Sequence, residues 1–450
     1  MKKLLTLCIG LSLFACKEEP KIDYALFSGK IENPADKVVT VYHGREKVKE
    51  IPLTDEGTFA DTLNIKSGYY SLNHGREGSA MYLSPGDDIK VSLDTKEFDE
   101  TITYSGIGSE NNNFLAAKFL NEENLDINFA ELYAMEESDF LAMMDEVKSS
   151  KADFLKASQD ISAEFRSLEE KNMGYEYLTY LQTYASAHSY YAKKEAFKPS
   201  EDFSKTLEEL DYTNEEDYKA FDTYKRLVQR YYADKIGKSE NPSEVFKSIN
   251  ATGFTALKKD LANMLNYNIS PSNEHNEAYY NGLMAMSTDD KYKEALTSKY
   301  NTVKKLAKGM PSPQFVEYEN HKGGKTSLEE LKGQYVYVDV WATWCGPCIR
   351  EIPSLKEVEK KFHGKNIAFV STSIDRAKDH NTWVDMVKNK ELGGIQLMAD
   401  NDWNSKFVKD YAIEGIPRFI LIDPDGNIVS ADAPRPSNPK LVKMLEELKI

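Results

Sequence analysis

The sequence predicts a multidomain chain: an N-terminal antiparallel β-sandwich, a middle all-α domain and a C-terminal α/β domain. Three observations predict this. Apolar residues recur with a period of two over 24–106, with turn residues between the runs. The period shifts to three and four over 107–308, where Gly and Pro become scarce. After Gly309-Met310-Pro311-Ser312-Pro313, strand-like and helix-like stretches alternate over 309–450. The length of 450 residues suits several domains with ample core. A net charge of −16 without a basic patch argues against a nucleic-acid partner.

The chain opens with a targeting segment. Lys2 and Lys3 precede an apolar run over 4–14, too short to span a bilayer as a mature helix. It ends Leu13-Phe14-Ala15-Cys16, which resembles the lipobox of bacterial lipoproteins. The resemblance implies a signal peptide over 1–15, acyl chains on Cys16, a short tether over 16–23 and a place on the cell envelope, facing the periplasm or the cell surface. Each buried methylene contributes about 0.8 kcal/mol, so several chains anchor stably where one does not. Of the four cysteines, Cys8 leaves with the signal and Cys16 becomes the anchor. Only Cys345 and Cys348 remain, one reactive pair without a structural disulfide.

Strands are expected at 25–31, 37–42, 57–63, 68–72, 80–83, 88–93 and 101–104. Asn33-Pro34, Asp55-Glu56-Gly57, Lys66-Ser67-Gly68 and Ser84-Pro85-Gly86-Asp87 are the turns between them. Short strands at this spacing suggest a small sandwich. His43 and His74 each precede Gly and read as loop residues, with no third ligand to make a metal site. In the next region the faces Tyr177, Leu181, Tyr184, His188, Tyr191 and Phe221, Tyr224, Val228, Tyr231 mark amphipathic helices. His188 reads as a hydrogen-bonded residue of the apolar face, and the tyrosines as packing.

In the last region a strand at 314–318 and a turn or short helix at 327–332 precede a run alternating in Val and Tyr, which ends at Trp341. Trp344-Cys345-Gly346-Pro347-Cys348 follows, then a helical pattern over 347–362. Cys345 thus stands where a strand turns into a helix, with Pro347 in the first turn. Unpaired N–H groups and the positive end of the dipole favour a thiolate there. Cys348, one turn on, is close enough to close a disulfide with Cys345. A zinc site would need about four ligands, and the sequence has no second pair to supply them. Further elements are a strand at 367–373, a helix at 381–390, strands at 396–399, 419–422 and 427–431, and helices at 403–411 and 439–448.

The stretch from Asp339 to Cys348 resembles the active site of thioredoxins, and 309–450 as a whole resembles the TlpA/ResA-like thioredoxin-fold proteins of bacterial envelopes. The sandwich is similar to the β-rich domain, of unknown role, that precedes such domains in envelope lipoproteins. The resemblance implies a C-terminal thioredoxin-like fold. It also implies a protein-disulfide reductase whose only redox group is the Cys345–Cys348 pair. Asp339 matches the buried acid of the family; burial raises a carboxylate pKa, so Asp339 could take the Cys348 proton. Pro417, after Gly415-Ile416, matches a cis-proline beside the active site, which would turn the Ile416 backbone toward an extended substrate. Trp344 is expected to be an exposed platform, with Trp341 beneath it.

Gly346-Pro347 between the cysteines matches thioredoxin, near about −270 mV, rather than the oxidant DsbA, near about −120 mV. That favours reduction of disulfide-containing envelope proteins. In an oxidising envelope such a reductant needs electrons from the membrane, and the resemblance implies a thiol carrier of the DsbD/CcdA type. Two alternatives stand beside this: a peroxide reductase on the same fold, and a surface scaffold whose redox domain serves one client.

Overall fold

A computed structural model describes residues 22–194, 197–448 and 450. The expected signal peptide, Cys16 and most of the tether lie outside the described residues. The chain divides into two compact units, one ending at Tyr231 and the other spanning Tyr232–Ile450. The helical stretch expected at 107–308 is therefore divided between them.

The first unit begins with β1 (Tyr24–Glu32), β2 (Val38–His43), β3 (Glu46–Pro52), β4 (Thr58–Asn64), β5 (Gly68–His74), β6 (Glu77–Leu83), β7 (Asp88–Asp94) and β8 (Thr103–Ile107). They form two four-stranded sheets, ordered β4-β1-β7-β8 and β3-β2-β5-β6. Alternate residues of both sheets, among them Phe27, Val41, Leu72, Met81 and Val91, share one buried core. The strands are not uniformly antiparallel: β1 pairs with β7 in parallel. A parallel pair needs a long crossover, and the chain from β2 to β6 supplies it. The unexpected strand is β3, an edge strand whose Lys47, Lys49 and Glu50 mask its alternation.

Helices Ser109–Glu123, Glu137–Ala157 and Ala163–Tyr191 follow. Leu181, Tyr184 and His188 are buried, and Tyr184 stacks on Phe140 with centroids 4.2 Å apart. His188 Nδ1 donates to the Tyr133 carbonyl at 3.0 Å. His74 is a buried strand residue, not a loop residue. Its Nε2 accepts the Ala35 and Asp36 backbone N–H groups, and its Nδ1 donates to the Val38 carbonyl. A charged network crosses these helices. Lys118 meets Glu169 and Glu176, each at 3.0 Å, and Lys151 meets Glu176 at 2.8 Å and Glu122 at 2.7 Å. Tyr69 donates to Glu169 at 2.6 Å.

The second unit carries helices such as Thr255–Leu265, Asn276–Met286 and Asp290–Lys304, then a seven-stranded sheet. Its strands are β9 (Tyr318–Asn320), β10 (Lys325–Thr326), β11 (Tyr335–Trp341), β12 (Ile367–Ser373), β13 (Ile395–Met398), β14 (Arg418–Ile422) and β15 (Ile428–Ser430). Their order is β10-β9-β13-β12-β11-β14-β15. β11 is central, parallel to β12 and antiparallel to β14. Both faces are covered. Val336, Val338 and Val340 pack with Trp383, Leu397 and Phe407. Tyr337 packs with Leu355 and Val358 of helix Gly346–Lys361 and with Leu441 and Leu445 of helix Pro439–Glu447. The strand expected at 314–318 begins only at Tyr318, because Glu317 turns the chain at φ 53°. The segment Gly309–Ser312 runs along β15: the Gly309 N–H donates to the Ile428 carbonyl at 2.7 Å, and the Ile428 N–H to the Met310 carbonyl at 2.8 Å.

Candidate active site

β11 ends at Trp341, and helix Gly346–Lys361 starts five residues later. Cys345 is the N-cap of that helix, and Pro347 lies in its first turn. Cys345 and Cys348 form a disulfide with S–S 1.98 Å and Cα–Cα 5.3 Å. The Cys348 N–H donates to Cys345 Sγ at 3.2 Å, so the helix start directs a donor at this sulfur. Both cysteines are 4% exposed, whereas Trp344 beside them is 56% exposed. Trp341 is buried in the same cluster as both cysteines.

The loop between strand and helix is held from below by Asp375, which the sequence reading did not single out. Its buried carboxylate accepts the Thr343 N–H at 2.9 Å, the Thr343 hydroxyl at 2.7 Å and the Ser373 hydroxyl at 2.6 Å. Glu351, one turn beyond Cys348, accepts the Ser437 N–H and hydroxyl, each at 2.9 Å. It ties the redox helix to the chain just before helix Pro439–Glu447.

Asp339 lies on the same face of β11 as Tyr337, the face that helix Gly346–Lys361 covers. It pairs across the strands with Ser371, whose hydroxyl donates to its carboxylate at 3.4 Å. Its side chain keeps a little solvent contact, but its carboxyl opens into a pocket of about 10 Å³, roughly one water in size. Cys348, Trp341, Glu359 and Gln396 line the same pocket. Burial raises the Asp339 pKa to about 7; Ser371 opposes the shift, and the carboxylates of Glu351 and Glu359 add to it. Burial also raises the Glu359 pKa.

The Ile416–Pro417 bond is cis, and Ile416 packs against the cluster that contains both cysteines. The structure thus brings Cys345, Cys348, Trp344, Asp339 and Ile416 to one end of the sheet. Cys16 lies outside the described residues. Sequence reasoning missed Trp403, Arg376 and Lys378, which share a cleft with Trp344. It also missed Glu351 and Glu359, whose polar side chains on an amphipathic helix gave no signal. Among the described residues, no group of three His, Cys, Asp or Glu could hold a metal, and no helix is long and apolar enough to cross a membrane.

Residues 307–445 match the Redoxin family. The thiol-disulfide oxidoreductase ResA of Bacillus thuringiensis is 30% identical over 126 residues, which cover 28% of this chain and 69% of the relative. ResA of Bacillus subtilis is 26% identical over 134 residues, covering 29% of this chain and 72% of the relative. The solved thioredoxin domain of a thiol-disulfide oxidoreductase from Bacteroides vulgatus is 30% identical, covering 32% of this chain and 98% of its own, with a TM-score of 0.29. A disulfide at a strand-to-helix junction and a ResA relative matched over more than two thirds of its length lead to one identification: this chain belongs to the ResA/TlpA-like thiol-disulfide oxidoreductases and is an oxidoreductase enzyme.

Proposed function

We propose that this protein is a lipid-anchored reductase of disulfides in envelope proteins. The observation that carries the reading is the Cys345–Cys348 disulfide, with Cys345 as N-cap and the Cys348 N–H directed at its sulfur. In the reduced protein the same donor and the helix dipole stabilise a Cys345 thiolate. That thiolate attacks one sulfur of a client disulfide; the other leaves as a thiolate and takes a proton. Asp339 accepts the Cys348 proton, directly or through one water, and Cys348 attacks Cys345 Sγ. The client's second sulfur leaves, and two electrons have passed from the pair to the client. Trp344 supplies an apolar platform, and the Ile416 backbone before cis-Pro417 pairs with the client as a short strand.

Gly346-Pro347 favours reduction, and electrons would come from a membrane thiol carrier of the DsbD/CcdA type. Cys16 would carry the lipid that holds the enzyme at the envelope, facing the periplasm or the surface. The test is trapping. Cys348→Ser should accumulate a mixed disulfide at Cys345, and Cys345→Ser should accumulate none. If both variants still reduced insulin with dithiothreitol as donor, the mechanism would be wrong. Mass spectrometry of the purified envelope protein reads the anchor: acyl chains on Cys16 support it, and a free unmodified N-terminus removes it.

A further inference from the structure

Beside Cys345 the surface opens into a cleft of about 380 Å³, walled by Trp344, Trp403, Ile374, Arg376, Lys378 and Asp379. The two indoles stand 6.4 Å apart between centroids and are tilted by 37°. They form the sides of an open wedge rather than a closed stack. Ile374 is its buried apolar wall. The far wall is charged. Arg376 and Lys378 are exposed in the turn that follows β12, and among the described residues neither makes an ion pair. Asp379 is the one carboxylate in the lining, placed at the start of helix His380–Asn389. Two cations face one anion, on a chain whose net charge is −16. An apolar slot that ends in a cationic wall fits a large apolar side chain next to a carboxylate.

We propose that this cleft is the subsite that selects client disulfides, by taking an aromatic or large aliphatic residue beside the attacked cysteine and pairing a neighbouring Asp or Glu with Arg376 and Lys378. The inference rests on the reductase reading above and names its substrate class. The lining holds two cations against one carboxylate, and charges more than about 8 Å away are screened at physiological salt. The anionic flank of a client is therefore favoured at this cleft. That biases the direction in which the client lies, and with it which of its two sulfurs meets Cys345. The redox step is unchanged: Cys345 Sγ bonds to that sulfur, the client S–S bond breaks, and closure of Cys345–Cys348 returns both client sulfurs as thiols.

The experiment uses the reduced full chain and a set of disulfide-bridged peptides of equal length. One cysteine is flanked by Phe-Asp, Phe-Lys, Ala-Asp or Ala-Lys. Rates are read at low and high salt, each normalised to the same protein's rate with the small neutral 2-hydroxyethyl disulfide. The Phe-Asp peptide should react roughly tenfold faster than Phe-Lys at low salt, and the gap should shrink as salt rises. The double charge reversal Arg376→Glu, Lys378→Glu should invert the Asp-over-Lys preference. Trp403→Ala should erase the Phe-over-Ala preference and leave the charge preference in place. Equal peptide rates in the wild type, or a charge preference that survives the double reversal, would overturn the subsite while the small-disulfide reaction still upheld the reductase reading. Loss of all reaction in the wild type, small disulfide included, would overturn both.

Discussion

Asp375 holds Thr343 by both its backbone N–H, at 2.9 Å, and its hydroxyl, at 2.7 Å. Thr343 is two residues ahead of Cys345, so the position of the attacking sulfur depends on a carboxylate at the end of the neighbouring strand. Asp375→Ala strands the buried Thr343 N–H and hydroxyl and the Ser373 hydroxyl. The expected cost is about 2–4 kcal/mol in urea unfolding. Insulin reduction should slow further than the loss of folded protein explains. An unchanged unfolding midpoint together with an unchanged rate would show that the loop is held by other contacts.

Asp339 predicts a pH dependence of both stability and rate. Its pKa is about 7 in the fold, against 3.8 when unperturbed. Between these values the folded state binds more protons than the unfolded state, so this group's contribution to stability falls as pH rises from about 4 to about 7. Asp339→Asn should remove that slope and raise stability at pH 8 by about 2–4 kcal/mol. Catalysis moves the other way. Release of the mixed disulfide should accelerate as Asp339 ionises, with a midpoint near pH 7. In Asp339→Asn that step should slow by about a hundredfold and lose the midpoint. Stopped-flow release measured from pH 5 to 9 checks both.

Glu351 tests how far neighbouring carboxylates set that midpoint. Glu351→Gln removes its charge while its amide oxygen can still accept from Ser437. The Asp339 transition should move to lower pH, with little change in unfolding at pH 5. A transition that stays put would leave burial and Glu359 as the causes.

In the first unit, Lys118→Met tests the buried charged network. Glu169 is fully buried and Lys118 is 13% exposed. Removing the lysine leaves Glu169 and Glu176 with too little positive charge, and the expected loss is about 3–5 kcal/mol. Burial tends to raise the Glu176 pKa, but Lys118 and Lys151 outweigh it and hold it below the usual value. This contribution is present above the unfolded carboxylate pKa and is lost as pH falls through the lower folded value. Acid unfolding of Lys118→Met should therefore begin at higher pH than in the wild type.

Period and turn chemistry made the layered C-terminal sheet legible. The strand expected at 367–373 is β12, and the long helix beyond Cys345 starts within one residue of its expected position. The cysteine pair was legible because few other roles suit two thiols three residues apart at a helix start. Polar exceptions were not. β3 hides its alternation under Lys and Glu, as a solvated edge strand does. The parallel pairing of β1 with β7 is a long-range choice that no local pattern encodes. Asp375 and Glu351 act on backbone groups 32 and 86 residues away in sequence. A carboxylate on a surface-like pattern gives no sign of such a partner. The cleft behind Trp344 needed Trp403, which comes from a different part of the chain.

The boundary segment Gly309–Ser312 does more than join two regions. By pairing with Ile428 it fills the outer rung of β15, and Pro311 offers no N–H on which a further strand could build. Anyone cutting the catalytic portion free should therefore begin upstream of Gly309. A fragment starting at Pro313 would bare a row of unpaired main-chain groups and tend to stick to its own kind.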